Sequence, residues 1–196
     1  MKKSILVPIL TIFVAAAVLF GVAAGLTGVA SANAQKEHLE MMRLLLPDSE
    51  TFTLEPYSGD DANIRSVHKA ENGYIIETCC YGFAGDITML IGVSSDGRVT
   101  GLVVRDMEET WTLGAEALTD HVFLSQFLNK SGEFAVAAGD SDASSSATPD
   151  SAPVSGDAQE VDALTGATVT TRAVIRCVNS AVSYVTGADV DTSATP

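Results

Sequence analysis

Between Ser4 and Ala30 the chain carries no charged side chain, and apolar residues fill most of the run. A helix needs roughly 20 apolar residues to cross a bilayer core, so this stretch predicts one membrane-spanning helix. Lys2 and Lys3 precede it. The positive-inside rule keeps them cytoplasmic and sends the rest of the chain to the other side. Ala32-Asn33-Ala34 has the A-x-A form of a signal cleavage site, but the apolar run far exceeds the roughly 7–15 residues of a signal h-region. An uncleaved anchor is therefore expected. Residues 35–46, QKEHLEMMRLLL, turn from polar to apolar at helical spacing and stop before Pro47. Leu39, Met42, Leu45 and Leu46 form the face expected to pack.

The pattern then changes to that of strands. IRSVHKA (64–70), YIIETCC (74–80), ITMLIGV (87–93) and RVTGLVV (98–104) are rich in β-formers and separated by turn residues, Glu71-Asn72-Gly73 and Ser94-Ser95-Asp96-Gly97 among them. Asp-Gly marks a tight hairpin. Consecutive hairpins without a βαβ rhythm predict an antiparallel sheet. Residues 118–130 place Val122, Phe123, Gln126 and Phe127 on one face of an amphipathic helix, and 133–138 read as another strand. Residues 139–158 are rich in Ser, Ala, Asp, Pro and Gly, with Val154 the one large apolar side chain. Such a stretch buries too little to offset its ordering entropy and reads as a flexible insert. Over 171–186, Ala173, Val174, Cys177, Val178, Ala181, Val182 and Val185 form an apolar helical stripe, and Gly187 supplies a stop. The expected fold class is α+β, a mostly antiparallel sheet flanked by helices, preceded by one N-terminal transmembrane helix. Its divisions are an anchor (1–34), a connecting helix and loop (35–60), a domain outside the cytoplasm (61–187) and a disordered tail (188–196).

Charge narrows the partners. The chain has 11 basic and 25 acidic residues, a formal charge of −14. Past residue 34, nine basic residues face 25 acidic ones, a formal −16. That excess repels nucleic acid and anionic headgroups. Cys79 and Cys80 are adjacent in a strand and Cys177 lies on the helical stripe, so the three read as packed small hydrophobes, with at least one lacking an internal partner. His38, His68 and His121 show no metal spacing. Glu108 and Glu109 read as exposed loop acids. No nucleophile–base pair and no paired carboxylates suggest hydrolysis.

The remaining signal is DALTGATVTT, 162–171, with four threonines at the mouth of the last helix. As a helix cap, Thr170 or Thr171 would accept hydrogen bonds from first-turn N–H groups, but that leaves Asp162, Gly166 and Ala167 without a purpose. As an attachment point, Gly166 and Ala167 let a ligand approach the backbone, and the helix mouth favours an anion. No P-loop signature accompanies it, so a freely bound nucleotide triphosphate is not supported.

Asp162-Ala163-Leu164-Thr165-Gly166-Ala167-Thr168 resembles the D-x-x-[ST]-G-A-[ST] motif of the FMN-binding domain family. The resemblance implies that a dedicated flavin transferase splits FAD and joins FMN, through its phosphate, to Thr168. A phosphoester made by another enzyme needs no base here, which suits a cluster without His or Lys. Gly73–Glu77, Tyr81–Val93 and Ser95–Val99 resemble the family's central strands and hairpin turn. Glu109-Thr110-Trp111-Thr112-Leu113-Gly114 is similar to its E-T-P-G-L-G loop, which implies contact of Glu109, Thr110, Leu113 and Gly114 with the flavin. Trp111 and Thr112 depart from that pattern. Together with the anchor, the chain resembles the branch of the family that supplies the G component of Rnf-type complexes. This implies electron relay between ferredoxin and NAD coupled to Na⁺ or H⁺ translocation, membrane and soluble partner subunits, and no independent catalytic residue. The C component of the sodium-pumping NADH:quinone oxidoreductase, a free-standing flavoprotein and a non-redox binding module outside the membrane stay open as alternatives.

Overall fold

The computed structural model describes residues 36–108, 114–137 and 158–187. The expected anchor over 4–30, nearly all of the 139–158 insert and the tail lie outside the described residues. Among the described residues no helix is long and apolar enough to cross a membrane. The chain divides into two compact units, Met1–Met41 and Met42–Pro196. The described part of the first, 36–41, is helical; helix α1 as a whole runs 36–45 and ends before Pro47, as its pattern predicts.

The second unit is α+β. Five strands, β1 (Thr53–Glu55), β2 (Ile64–Lys69), β3 (Gly73–Tyr81), β4 (Asp86–Ser94) and β5 (Val99–Met107), lie side by side in chain order. Every neighbouring pair is antiparallel. One face of the sheet receives the end of α1. Gly92 and Gly101 are cross-strand partners there, and a Cβ at Gly92 would stand 2.5 Å from the Leu45 carbonyl oxygen. The bare backbone lets the helix end rest on the strands, where the Thr100 hydroxyl donates to Leu45 O at 2.6 Å. Ile75 and Leu90, fully buried, share that face by strand alternation.

The opposite face carries the main core. Ile76, Cys80, Ile87, Met89, Ile91 and Val93 point from β3 and β4 toward helix α4 (Thr168–Thr186). Six of the seven stripe residues expected on α4, Ala173 through Val182, are buried, and Val185 is half-buried. Each buried valine contributes on the order of 1.5–3 kcal/mol. Gly187 ends the helix in the left-handed conformation, φ 65°, its N–H donating to Ser183 O at 2.8 Å.

Four contacts set the direction of α4. The Tyr74 and Tyr184 rings meet edge to face at 5.7 Å, and Asn63 Nδ2 donates to Ser180 Oγ at 3.1 Å. Toward the other end, Cys177 Sγ lies 4.0 Å from Ile87 O, and Arg176 Nη2 donates to Tyr81 O at 2.7 Å. The start of α4 therefore lies at the end of the sheet that holds the β3–β4 hairpin.

Two departures from the sequence pattern stand out. The single helix expected over 118–130 is broken into α2 (Gly114–Thr119) and α3 (His121–Ser125), followed by turns over 126–129. Asp120 causes the break: its backbone is extended, and its carboxylate accepts from Val122 N–H at 2.8 Å, capping the second helix. The break swings Val122 out, so it is 75% exposed rather than on the buried face, while Phe123 and Phe127 pack edge to face at 5.6 Å. The strand expected over 133–138 appears as β6 (Phe134–Val136), paired in parallel with a strand not expected from the sequence, β7 (Gln159–Val161).

The buried carboxamide of Asn179 ties this pair to α4. Its Oδ1 accepts from Phe134 N–H at 2.9 Å and its Nδ2 donates to Phe134 O at 3.0 Å. Replacing Asn179 with Ala strands two buried main-chain groups. We predict a loss of about 2–4 kcal/mol in urea unfolding, with the m-value unchanged.

Candidate functional site

One end of the sheet gathers the sequence signals. The β3–β4 hairpin turns over there through Gly82–Gly85, closed by Gly82 N–H on Gly85 O at 2.8 Å. Strand β5 ends beside it, Met107 opposite Ile87, and Glu108 N–H donates to Asp86 O at 2.9 Å. Glu109, Thr110 and Leu113, with Trp111 and Thr112, lie outside the described residues. Gly114 opens α2 and is buried.

Asp162, Thr165, Gly166, Ala167 and Thr168 reach the same end from β7. Ala167 N–H donates to Leu164 O at 2.9 Å, and Gly166 has φ 80°. A four-residue turn with positive φ at its third position is a type II turn, which favours glycine there. The turn swings the chain directly into α4, whose N-cap is Ala167 and whose first residue is Thr168.

Neither Thr170 nor Thr171 caps α4. The helix starts three residues earlier than the apolar stripe suggests, and its N-cap makes no side-chain hydrogen bond. Both threonines are buried within the first turns, and the Thr171 hydroxyl donates back to Ala167 O at 3.0 Å. The first amide with an acceptor one turn back is that of Thr171, on Ala167 O at 2.8 Å. The N–H groups before it have no intrahelical partner, as at any helix start.

Thr168 is half-buried, and no acidic residue occupies the first turn. An anion on its hydroxyl would meet the positive end of the helix dipole without a carboxylate on that same turn. Arg172, exposed, follows four residues on, which is the same helix face. Arg176 stands one turn further, on Tyr81 O. These cations stand out in a strongly acidic chain. Tyr81 and Phe83 at the hairpin are 51% and 68% exposed, and Val169 beside Thr168 is 47% exposed. The end of the sheet thus offers apolar surface next to a hydroxyl and two guanidinium groups.

Beneath this end, Cys80 and Cys177 are both buried and neither is in a disulfide. The contact with Cys177, and then burial, push the Cys80 thiol up, which keeps it protonated. The histidines are dispersed over α1, β2 and the start of α3. Among the described residues no group of three or more His, Cys, Asp or Glu gathers as a metal site. Helical spacing placed Gln126 on an apolar face; it instead bonds the Asp162 main chain through both ends of its carboxamide, at 2.8 and 3.3 Å. The signal available was one amide at helical spacing among aromatic residues.

The sequence profile of the FMN-binding domain matches residues 82–183, just over half of the chain, from the β3–β4 hairpin through most of α4. The chain belongs to the FMN-binding domain family. Within it, the G component of the ion-translocating oxidoreductase complex of Methanosarcina acetivorans is 32% identical over 162 residues, 76% of each chain. The G component of the Na⁺-translocating ferredoxin:NAD⁺ oxidoreductase complex of Acetobacterium woodii is 34% identical over 113 residues, 56% of this chain and 47% of that protein. Its counterpart in the proton-translocating complex of Clostridium ljungdahlii is 28% identical over 147 residues, 75% of this chain and 71% of that protein. The crystal structure of Shewanella oneidensis NqrC superposes with a TM-score of 0.44 at 19% identity, covering 75% of this chain and 73% of that one, a likeness too weak to carry weight.

Gly166→Ala forces a side chain into the left-handed region. We predict a loss of about 1–2 kcal/mol, read as a lowered midpoint in urea unfolding of the full chain.

Proposed function

We propose that this chain is a membrane-anchored flavoprotein of an Rnf-type complex, its G component, carrying FMN in phosphoester linkage to Thr168. It relays electrons in a complex that couples ferredoxin/NAD electron transfer to Na⁺ or H⁺ translocation. The observation that carries the reading is the setting of Thr168: a half-buried hydroxyl, first in a 19-residue helix, with no side-chain cap and no acid in the first turn. The relatives named as G components of ion-translocating oxidoreductases support the choice of complex.

The residues present fit the group. The Thr168 oxygen would bear the phosphorus. The free amides at the start of α4 and the Arg172 guanidinium would offset its remaining negative charge. Gly166 and Ala167 bring no bulk against it, and Asp162 is exposed for recognition by the modifying enzyme. Glu109, Thr110, Leu113 and Gly114 would flank the flavin, with Tyr81 and Phe83 offering aromatic surface from the hairpin. In the attachment, the Thr168 oxygen bonds to the riboflavin-side phosphorus of FAD, the pyrophosphate bond breaks, AMP leaves, and the hydroxyl proton passes to the flavin transferase. Bound FMN supplies the electron transfer; this chain's residues hold and orient it.

Residues 1–34 anchor the chain with its N-terminus in the cytoplasm, 35–60 connect, and 61–187 form the flavin domain outside. An uncharged span offers no ion path, so translocation belongs to partner subunits. The acidic surface suits solvent rather than nucleic acid.

Co-expressed with a flavin transferase, the protein should give a fluorescent band on a denaturing gel. Thr168→Ala should leave the band dark and change stability by no more than about 0.5 kcal/mol, as expected for a site without a cap bond. A dark wild-type band or a glowing variant contradicts the reading.

A further inference from the structure

Among the described contacts, the motif 162–168 is held at its start, at its end and at Asp162, and the hold on Asp162 belongs to no part of the family signature. At its start, β7 ends at Val161, fully buried, whose carbonyl accepts from Ala137 N–H at 2.9 Å. At its end, the Leu164–Ala167 turn leads into α4. Between these, the Asp162 main chain is gripped by a side chain 36 residues away: Gln126 Oε1 accepts from Asp162 N–H at 2.8 Å, and Gln126 Nε2 donates to Asp162 O at 3.3 Å. The two bonds reproduce what a neighbouring strand would offer, beyond the last residue of β7.

The base of that grip is rigid. Gln126 caps α3 in helical conformation, φ −62° and ψ −24°, its own N–H on Phe123 O at 3.2 Å. Phe123 and Phe127 on either side are buried, and Phe127 packs on Phe134 of β6 at 5.3 Å between ring centres. The Asp162 side chain itself is left to solvent. Fixing the main chain while leaving the carboxylate open makes sense if something outside must read residue 162 and residue 168 together.

We infer that Gln126 is a positioning residue for the modification of Thr168: its carboxamide holds Asp162 at a fixed offset from the Thr168 hydroxyl, so that the transferase meets both in one preformed arrangement. The inference rests on the attachment reading above. Without the clamp, the Asp162 main chain loses both of these bonds, and the transferase meets a competent arrangement only part of the time. Gln126→Glu keeps an acceptor for Asp162 N–H, loses the donor to Asp162 O, and adds a like charge beside the carboxylate. It should fall between the native protein and Gln126→Ala.

The test uses full-length protein made without transferase, then mixed with flavin transferase and FAD. Initial FMN incorporation is followed by in-gel fluorescence across apoprotein concentrations. Thermal unfolding and amide exchange at Asp162 are measured in parallel. The expected result for Gln126→Ala is a fall of about 10- to 100-fold in kcat/KM for the apoprotein, faster exchange at Asp162, and a small change in Tm. Val93→Ala, a core change at the far end of the sheet, should lower Tm and keep the native rate. A native rate for Gln126→Ala overturns the inference. So does an equal slowing in Val93→Ala, which would make the effect one of stability alone. If native protein takes no flavin, or Thr168→Ala still takes it, the attachment reading itself has failed and the role of Gln126 falls with it.

Discussion

Helix α4 lies on β3 and β4 through small side chains, and that contact places every other part of the candidate site. Alanine, valine and cysteine at Ala173, Val174, Cys177, Val178, Ala181 and Val182 keep the helix close to Ile76, Cys80, Ile87 and Met89. Close packing leaves little freedom to slide, since an interior at crystal-like density resists even a methylene of displacement. Polar contacts then fix the register: Asn63 on Ser180 at 3.1 Å, and Arg176 on the Tyr81 carbonyl at 2.7 Å. With the register set, the first turn of α4 emerges beside the hairpin, and half-buried Thr168 stands at the end of the sheet where β5 finishes at Met107.

Two carboxamides repeat one device around this helix. Asn179 bonds both main-chain groups of Phe134, and Gln126 bonds both of Asp162. Each amide offers one donor and one acceptor, the same pair that a backbone unit presents. Chain segments too short to pair along a full strand are thereby fixed by side chains. The parallel pair β6–β7, three residues each, adds these amide bonds to the burial of Phe134 and Val161 in the core, and the motif 162–168 begins where that pair ends.

Most of the sheet was legible because its strands announce themselves locally. β2 to β5 are runs of β-branched and apolar residues between turn signals, and each pairs with its neighbour in sequence. β1 and β7 carry no such signal: TLE lies at the sheet edge with Thr53 and Leu54 exposed, and QEV finds its partner 25 residues upstream across the segment 137–158. The break at Asp120 was hidden because an aspartate fits a helix pattern as well as a cap, and only its extended backbone separates the two. The start of α4 was placed late because the apolar stripe begins at Ala173, so periodicity is silent about the first turn. The seven-residue motif was legible in the sequence, because its residues are contiguous. The clamp on it was not, because a hydrogen bond between residues 36 apart leaves no periodic trace.

The chemistry proposed for this end of the sheet is a match of charge and geometry: one anionic ester at the positive end of a helix, with Arg172 one turn on, in a domain that is otherwise strongly acidic. The most direct measurement is tandem mass spectrometry of the peptide ending at Arg172, taken from protein purified from its native host. A riboflavin phosphate on the residue 168 side chain is the expected result. An unmodified peptide, or the group on Thr165, Thr170 or Thr171, would contradict it.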